Sequence, residues 1–166
     1  MRNHRTGGRL PGFAVIVPAL AGFHPPAMKL GSFSSDGCSL FPDGTLTDRA
    51  GWCNCCFAHD ISYWRGGTRT ERLVADRALR DCVLARTGNE TLADLMYRGV
   101  RAGGHPAFPT WYRWAYGWTY GRGYAPLKHE EQRQATQKLD EYFEQHPGGY
   151  CPAHSQRSST LSPHAP

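Results

Sequence analysis

Between Trp52 and Trp64 the chain reads WCNCCFAHDISYW, which puts three of its six cysteines within four residues and an adjacent His59-Asp60 pair directly after them. Cys, His and Asp supply nucleophiles, general bases and metal ligands, so this density points to acid–base, redox or metal chemistry. At helical spacing Trp52, Cys56, His59 and Tyr63 form one stripe with Cys55 beside it, and Asp60 lies next to that stripe, one turn beyond Cys56. A neutral histidine is a competent base near pH 7, and a carboxylate behind it would fix its tautomer. Such a carboxylate has to come from elsewhere in the chain.

The surrounding elements offer one. A first helix is expected from about Asp48 or Gly51 to Trp64, ended by Gly66-Gly67 in a left-handed cap. Thr68 and Glu71 make a T-x-x-E capping box that starts a second helix reaching about Arg86. There Leu73, Asp76, Leu79 and Val83 recur at three- and four-residue spacing, so Asp76 falls on the apolar face and needs a hydrogen-bonding partner. Cys82 sits at the edge of that face. The short connection favours an antiparallel pair. If Cys55 bonds to Cys82 in such a pair, His59 and Asp76 come to nearly the same height, offset by about 3 Å at a rise of about 1.5 Å per residue.

Further elements are plainer. Gly22 to Ser35 reads as irregular, and Asp36 to Gly44 as a loop with a turn at Pro42-Asp43-Gly44. A third helix is expected from about Thr91 to Arg101, with Leu92, Leu95, Met96 and Gly99 on its inner side and Gly103-Gly104 ending it. An aromatic segment follows (Trp111, Tyr112, Trp114, Tyr116, Trp118, Tyr120 and Tyr124, with Arg113 and Arg122), suited to packing over the helix pair, to a membrane interface or to base stacking. A polar helix from Lys128 to His146 would pack through Leu139, Tyr142 and Phe143.

The chain has 166 residues and is 40% hydrophobic, which suits one modest domain. Its 19 Lys+Arg against 14 Asp+Glu give a net charge of +5, favouring an anionic partner such as a membrane surface or nucleic acid. Six cysteines suit disulfides in an oxidising compartment, or a zinc site elsewhere. Arg2, Arg5 and Arg9 precede an apolar run from Leu10 to Leu20, and Ala19-Leu20-Ala21 has the form of a cleavage site, so residues 1–21 are expected to be a signal peptide. No run reaches the roughly 18 apolar residues of a membrane span. Residues 22–151 then form a single soluble domain with its core at about 36–87, and 152–166 a disordered tail rich in Ser, Pro and His.

The pattern Cys55-Cys56-x-x-His59-Asp60-x-x-Tyr63, followed by Ala75-Asp76-Arg77-Ala78 and then Cys82, resembles the secreted phospholipase A2 superfamily, in a divergent, bacterial-type form. The resemblance covers roughly Asp36 to Val83. It implies an all-α, disulfide-stapled fold: an antiparallel two-helix catalytic hairpin preceded by a calcium loop, with additional helices and an irregular aromatic segment. It implies calcium-dependent hydrolysis of a glycerophospholipid ester at a phospholipid membrane surface or other aggregated lipid, by a secreted or periplasmic monomer. His59 matches the general base acting on water, Asp76 the carboxylate that orients it, and Tyr63 the tyrosine bonded to that carboxylate. Asp60 matches the Ca2+-binding carboxylate, with backbone carbonyls of Gly37, Ser39 and Phe41 as further ligands. Cys55 to Cys82 matches the inter-helix disulfide, and Cys38 to Cys56 the bond anchoring the calcium loop.

Two departures stand out. Ser62 stands where vertebrate and venom enzymes have a cysteine, and the loop Gly37-Cys38-Ser39-Leu40-Phe41-Pro42 is poorer in glycine than theirs. Cys53 and Cys151 have no counterpart and are left to pair by elimination, in one of the fifteen connectivities six cysteines allow. Two other classes remain open. One is a zinc-binding module on Cys53, Cys55, Cys56 and His59, with nucleic acid as partner. The other is a lipid- or protein-binding module of the same fold without turnover.

Overall fold

A computed structural model describes residues 28–151, so the expected signal peptide and C-terminal tail lie outside the described residues. The helices are α1 (Cys53–Arg65), α2 (Arg69–Thr87), α3 (Glu90–Gly103) and α4 (His129–Gln145). Among the described residues there is no strand, only an isolated antiparallel bridge between Leu30 and Trp118. The fold is all-α and stapled by three disulfides: Cys38–Cys56, Cys53–Cys151 and Cys55–Cys82. Bonds of this kind persist in oxidising compartments. No described helix is long and apolar enough to cross a membrane.

Helix α1 starts later than expected. Asp48 closes the preceding loop instead, its carbonyl accepting from Thr45 N–H (2.7 Å) and Gly51 N–H (3.3 Å), while the Trp52 carbonyl opens the helix. Its end also departs from expectation. Gly66 has φ 71° with ψ −160°, an extended exit rather than a left-handed cap. A Cβ there would stand 2.6 Å from that of Ala115, so glycine is required for the aromatic segment to approach. The Thr68–Glu71 capping box of α2 is present as the spacing implies.

Pairing of Cys55 with Cys82, His59 with Asp76 and Tyr63 with Arg72 runs α1 and α2 antiparallel. Arg80 bonds Asp94 and Glu90 while Asp76 meets Arg101, so α3 runs antiparallel to α2. The inner side of α3 is Ala93 and Met96, packed with Leu79 and Val83. Leu95 is 56% exposed, and with Gly99 it lines a cavity rather than the core. The small Ala93 lets the helix close on α2, which turns Leu95 outward.

Much of the aromatic segment is core. Trp114, Ala115 and Trp118 are buried with Trp64, Leu30 and Phe33. Burying one large aromatic side chain contributes about 4–6 kcal/mol gross at about 25 cal/mol per Å2. Their indole N–H groups occupy carbonyls that α1 and its exit leave free: Trp114 donates to Gly67 O (2.9 Å) and Trp118 to Arg65 O (2.7 Å). Trp111 and Tyr120 stay exposed. Helix α4 packs through Ala135, Leu139 and Tyr142, whereas Phe143, expected inside, is 41% exposed and meets Phe57 and Tyr142 edge-on. The loop before α1 makes a hydrogen-bonded turn at Cys38–Phe41, closed by Phe41 N–H to Cys38 O (2.9 Å), and bends again at Asp43-Gly44, where the turn residues were expected to act.

Candidate active site

The Cys55–Cys82 bond sets the register of α1 on α2, and one turn further along α1 His59 faces Asp76. His59 Nε2 lies 2.9 Å from Asp76 Oδ1. The Tyr63 hydroxyl donates to the same oxygen at 2.7 Å, and its ring lies 4.1 Å from the imidazole, centroid to centroid. Asp76 is fully buried, and His59 is 8% exposed.

The other carboxylate oxygen is equally well supplied. Arg101 Nη1 donates to Asp76 Oδ2 at 2.6 Å, and Arg72 Nε stands 3.7 Å away. Arg72 is itself buried and donates to the hydroxyls of Tyr63 and Tyr124 and to the carbonyls of Val100 and Arg101. Burial opposes charge on Asp76, yet hydrogen bonds from His59, Arg101 and Tyr63 outweigh it and hold the carboxyl below its ordinary range. Burial beside Asp76 also pushes the Tyr63 phenol upward, so it remains a donor. Arg72 and Arg101 were not among the expected site residues. Arg72 precedes Asp76 by one helical turn, a spacing that could have drawn it in. Arg101 carries no such mark, because only the fold of α3 brings it there.

Asp60 follows His59 and so points about a quarter-turn away, toward the loop. Ser35 Oγ donates to Asp60 Oδ2 at 2.6 Å. Burial raises the Asp60 carboxyl from 3.8 to about 7, Ser35 partly offsets this, and the charges of Asp36 and Asp43 add to the rise. The loop is anchored by Cys38–Cys56, and Asp43 Oδ1 accepts from Cys38 N–H at 2.8 Å. Gly37 has φ 75°, and a Cβ on it would strike the Asp43 carboxylate. Leu40, 79% exposed, has φ 59°, an uncommon state for a side-chain-bearing residue.

Oxygen donors of the kind a hard cation uses are present here. The donors are oxygens, the field of three acids is uncompensated, and among the described residues the carbonyls of Gly37, Ser39 and Phe41 accept no hydrogen bond. No three His, Cys, Asp or Glu side chains converge as a metal cluster among the described residues, so calcium would rest on Asp60 and backbone oxygens. A zinc module on Cys53, Cys55 and Cys56 has no thiolates to use, since all three are in disulfides.

A cavity of about 280 Å3 opens onto His59 and Asp60, with apolar walls from Leu79, Met96, Val100, Leu95 and Phe41. The site thus combines an ionised carboxylate, an imidazole, an acid-rich loop and apolar space. Neither a family model, nor a curated protein, nor a solved structure matches the chain.

Proposed function

We propose that this protein is a calcium-dependent hydrolase of glycerophospholipid esters, a divergent member of the secreted phospholipase A2 superfamily. The observation that carries the proposal is the His59 Nε2–Asp76 Oδ1 contact at 2.9 Å, behind an apolar cavity that His59 and Asp60 both line. With Asp76 ionised, Nε2 holds the imidazole proton and Nδ1 keeps its lone pair for water. As that water attacks an ester carbonyl, His59 takes its proton and Asp76 offsets the imidazolium charge. As the intermediate collapses and the ester C–O bond breaks, the imidazolium returns the proton to the departing glycerol oxygen. Tyr63, Arg101 and Arg72 fix the carboxylate, so little reorganisation accompanies the transfer. Held by Asp60 and the carbonyls of Gly37, Ser39 and Phe41, calcium would supply Lewis-acid polarisation of the ester carbonyl. The apolar walls suit an acyl chain.

The test is fatty-acid release from defined phospholipid vesicles. We expect release with calcium and none in excess chelator. His59→Gln should lower the rate by about 10²–10⁴-fold, the range general base catalysis supplies, with all three disulfides intact by mass mapping. Turnover retained in His59→Gln would refute the base assignment. Vesicle binding by wild type without any release would instead favour a binding module.

A further inference from the structure

Asp60 borders a second cavity, of about 220 Å3, which shares Ser39, Asp60 and Tyr112 with the first. Its walls differ in kind. Three are aromatic (Trp111, Tyr112 and Tyr116), two are carboxylates (Asp36 and Asp60), and no Lys, Arg or His lines it. The rings of Trp111 and Tyr112 meet at 85° with centroids 5.1 Å apart, forming a corner. The other walls are fixed in place. Tyr116 donates its hydroxyl to Ser34 O at 2.7 Å, and Asp36 accepts from Ser39 Oγ (2.6 Å) and the Trp111 indole (3.2 Å).

We propose that this second cavity binds a quaternary ammonium group, and that on a lipid substrate it selects a choline head group. Carboxylates without a basic neighbour exclude phosphate and favour a cation. Aromatic faces favour a weakly hydrated organic cation over a metal ion, which keeps its oxygen ligands. With Asp60 committed to calcium, Asp36 remains to face the ammonium. A lipid whose ester lies beside His59 can reach this cavity because the two spaces meet at Asp60. Head-group selection rests on the hydrolase assignment above, whereas ammonium binding does not.

Two measurements separate these points. Choline chloride is titrated into the full chain, against sodium chloride at equal ionic strength, while NMR follows the indole resonances of the five tryptophans. A saturable shift of Trp111 is expected, weakened about fivefold in Asp36→Asn by loss of the charge. No saturable shift, or the same shift with sodium, overturns the site. The second measurement compares release from phosphatidylcholine and phosphatidylglycerol vesicles. Trp111 is 64% exposed, so Trp111→Ala leaves the core intact. That variant should lower the choline-to-glycerol rate ratio about fivefold, the worth of one cation–ring contact. An unchanged ratio with choline still bound assigns the site to free ammonium compounds and overturns head-group selection. Choline binding without hydrolysis of either lipid by wild type overturns the hydrolase assignment and head-group selection with it, and leaves the ammonium site standing.

Discussion

Asp60 and Asp76 border one site, and both are at least nine-tenths buried, yet their surroundings drive them in opposite directions. Asp76 meets His59, Tyr63 and two guanidinium groups, and these hold its carboxyl below the ordinary range. Asp60 has the Ser35 hydroxyl and the Asp36 backbone N–H against burial and two neighbouring acids, with no cation among its partners, and its carboxyl rises to about 7. Burial therefore does not decide the charge of a carboxylate; the partners supplied along with it do. The protein has completed the pair around Asp76 with its own cations, and it has left Asp60 short of one.

Substituting each by its isostere should break this symmetry with opposite signs. Asp76→Asn leaves Arg72 and Arg101 facing a neutral amide at a fully buried position, and removing one partner of a buried pair is strongly destabilising. Arg101 is 30% exposed by side chain and can turn to solvent, so the loss should be about 3 kcal/mol by urea unfolding. Asp60→Asn, measured in chelator at pH 7.5, should instead stabilise by about 2 kcal/mol, because each unit of raised pKa is worth about 1.4 kcal/mol and part is lost with Ser35. Destabilisation of both variants would remove the contrast. Adding calcium should stabilise wild type but not Asp60→Asn, through binding to the folded state alone.

The part of the site built on α1 and α2 was legible because it rests on local rules. Cysteine spacing, the Thr68–Glu71 box and the placing of Asp76 on an apolar face all follow from helical periodicity within a few turns. What escaped depends on long-range contact. Arg101 reaches Asp76 across 25 residues, and Ser35 reaches Asp60 across 25 in the other direction. Arginine on a helix usually reads as surface, and serine before a loop as filler. The aromatic segment shows the same limit. Composition could not separate Trp114 and Trp118, which bond carbonyls at the end of α1, from the exposed Trp111.

The contrast extends to pH. Asp60 titrates near 7 folded and near 3.8 unfolded, so the folded state holds this proton more tightly. Its contribution to stability is fully present below about pH 4 and is lost as pH rises to about 7. In chelator, the stability of wild type relative to Asp60→Asn should therefore fall between those limits. A flat difference across that window would mean Asp60 is not held protonated in the metal-free protein.

The smallest effect is expected at Glu131, a third carboxylate matched by the protein's own cation but set at the start of α4, far from the cavity. Both its oxygens accept from Arg122 at 2.8 Å, and one also accepts from Lys128 N–H at 2.8 Å. Arg122 in turn lies 4.1 Å over the Trp118 ring, so this pair ties α4 to the aromatic core. Hydrogen bonding to Arg122, opposed only by modest burial, lowers the Glu131 carboxyl from 4.5 to about 2. A lowered value contributes stability present above about pH 4.5 and lost as pH falls through about 2. Glu131→Gln keeps an acceptor for Lys128 N–H but loses the charge that Arg122 grips. It should cost about 1 kcal/mol at pH 7, at the upper end for a partly exposed pair because both hydrogen bonds are made. Thermal unfolding of the two proteins should converge near pH 2. A cost that persists there would show that Glu131 holds α4 through its shape and not its charge.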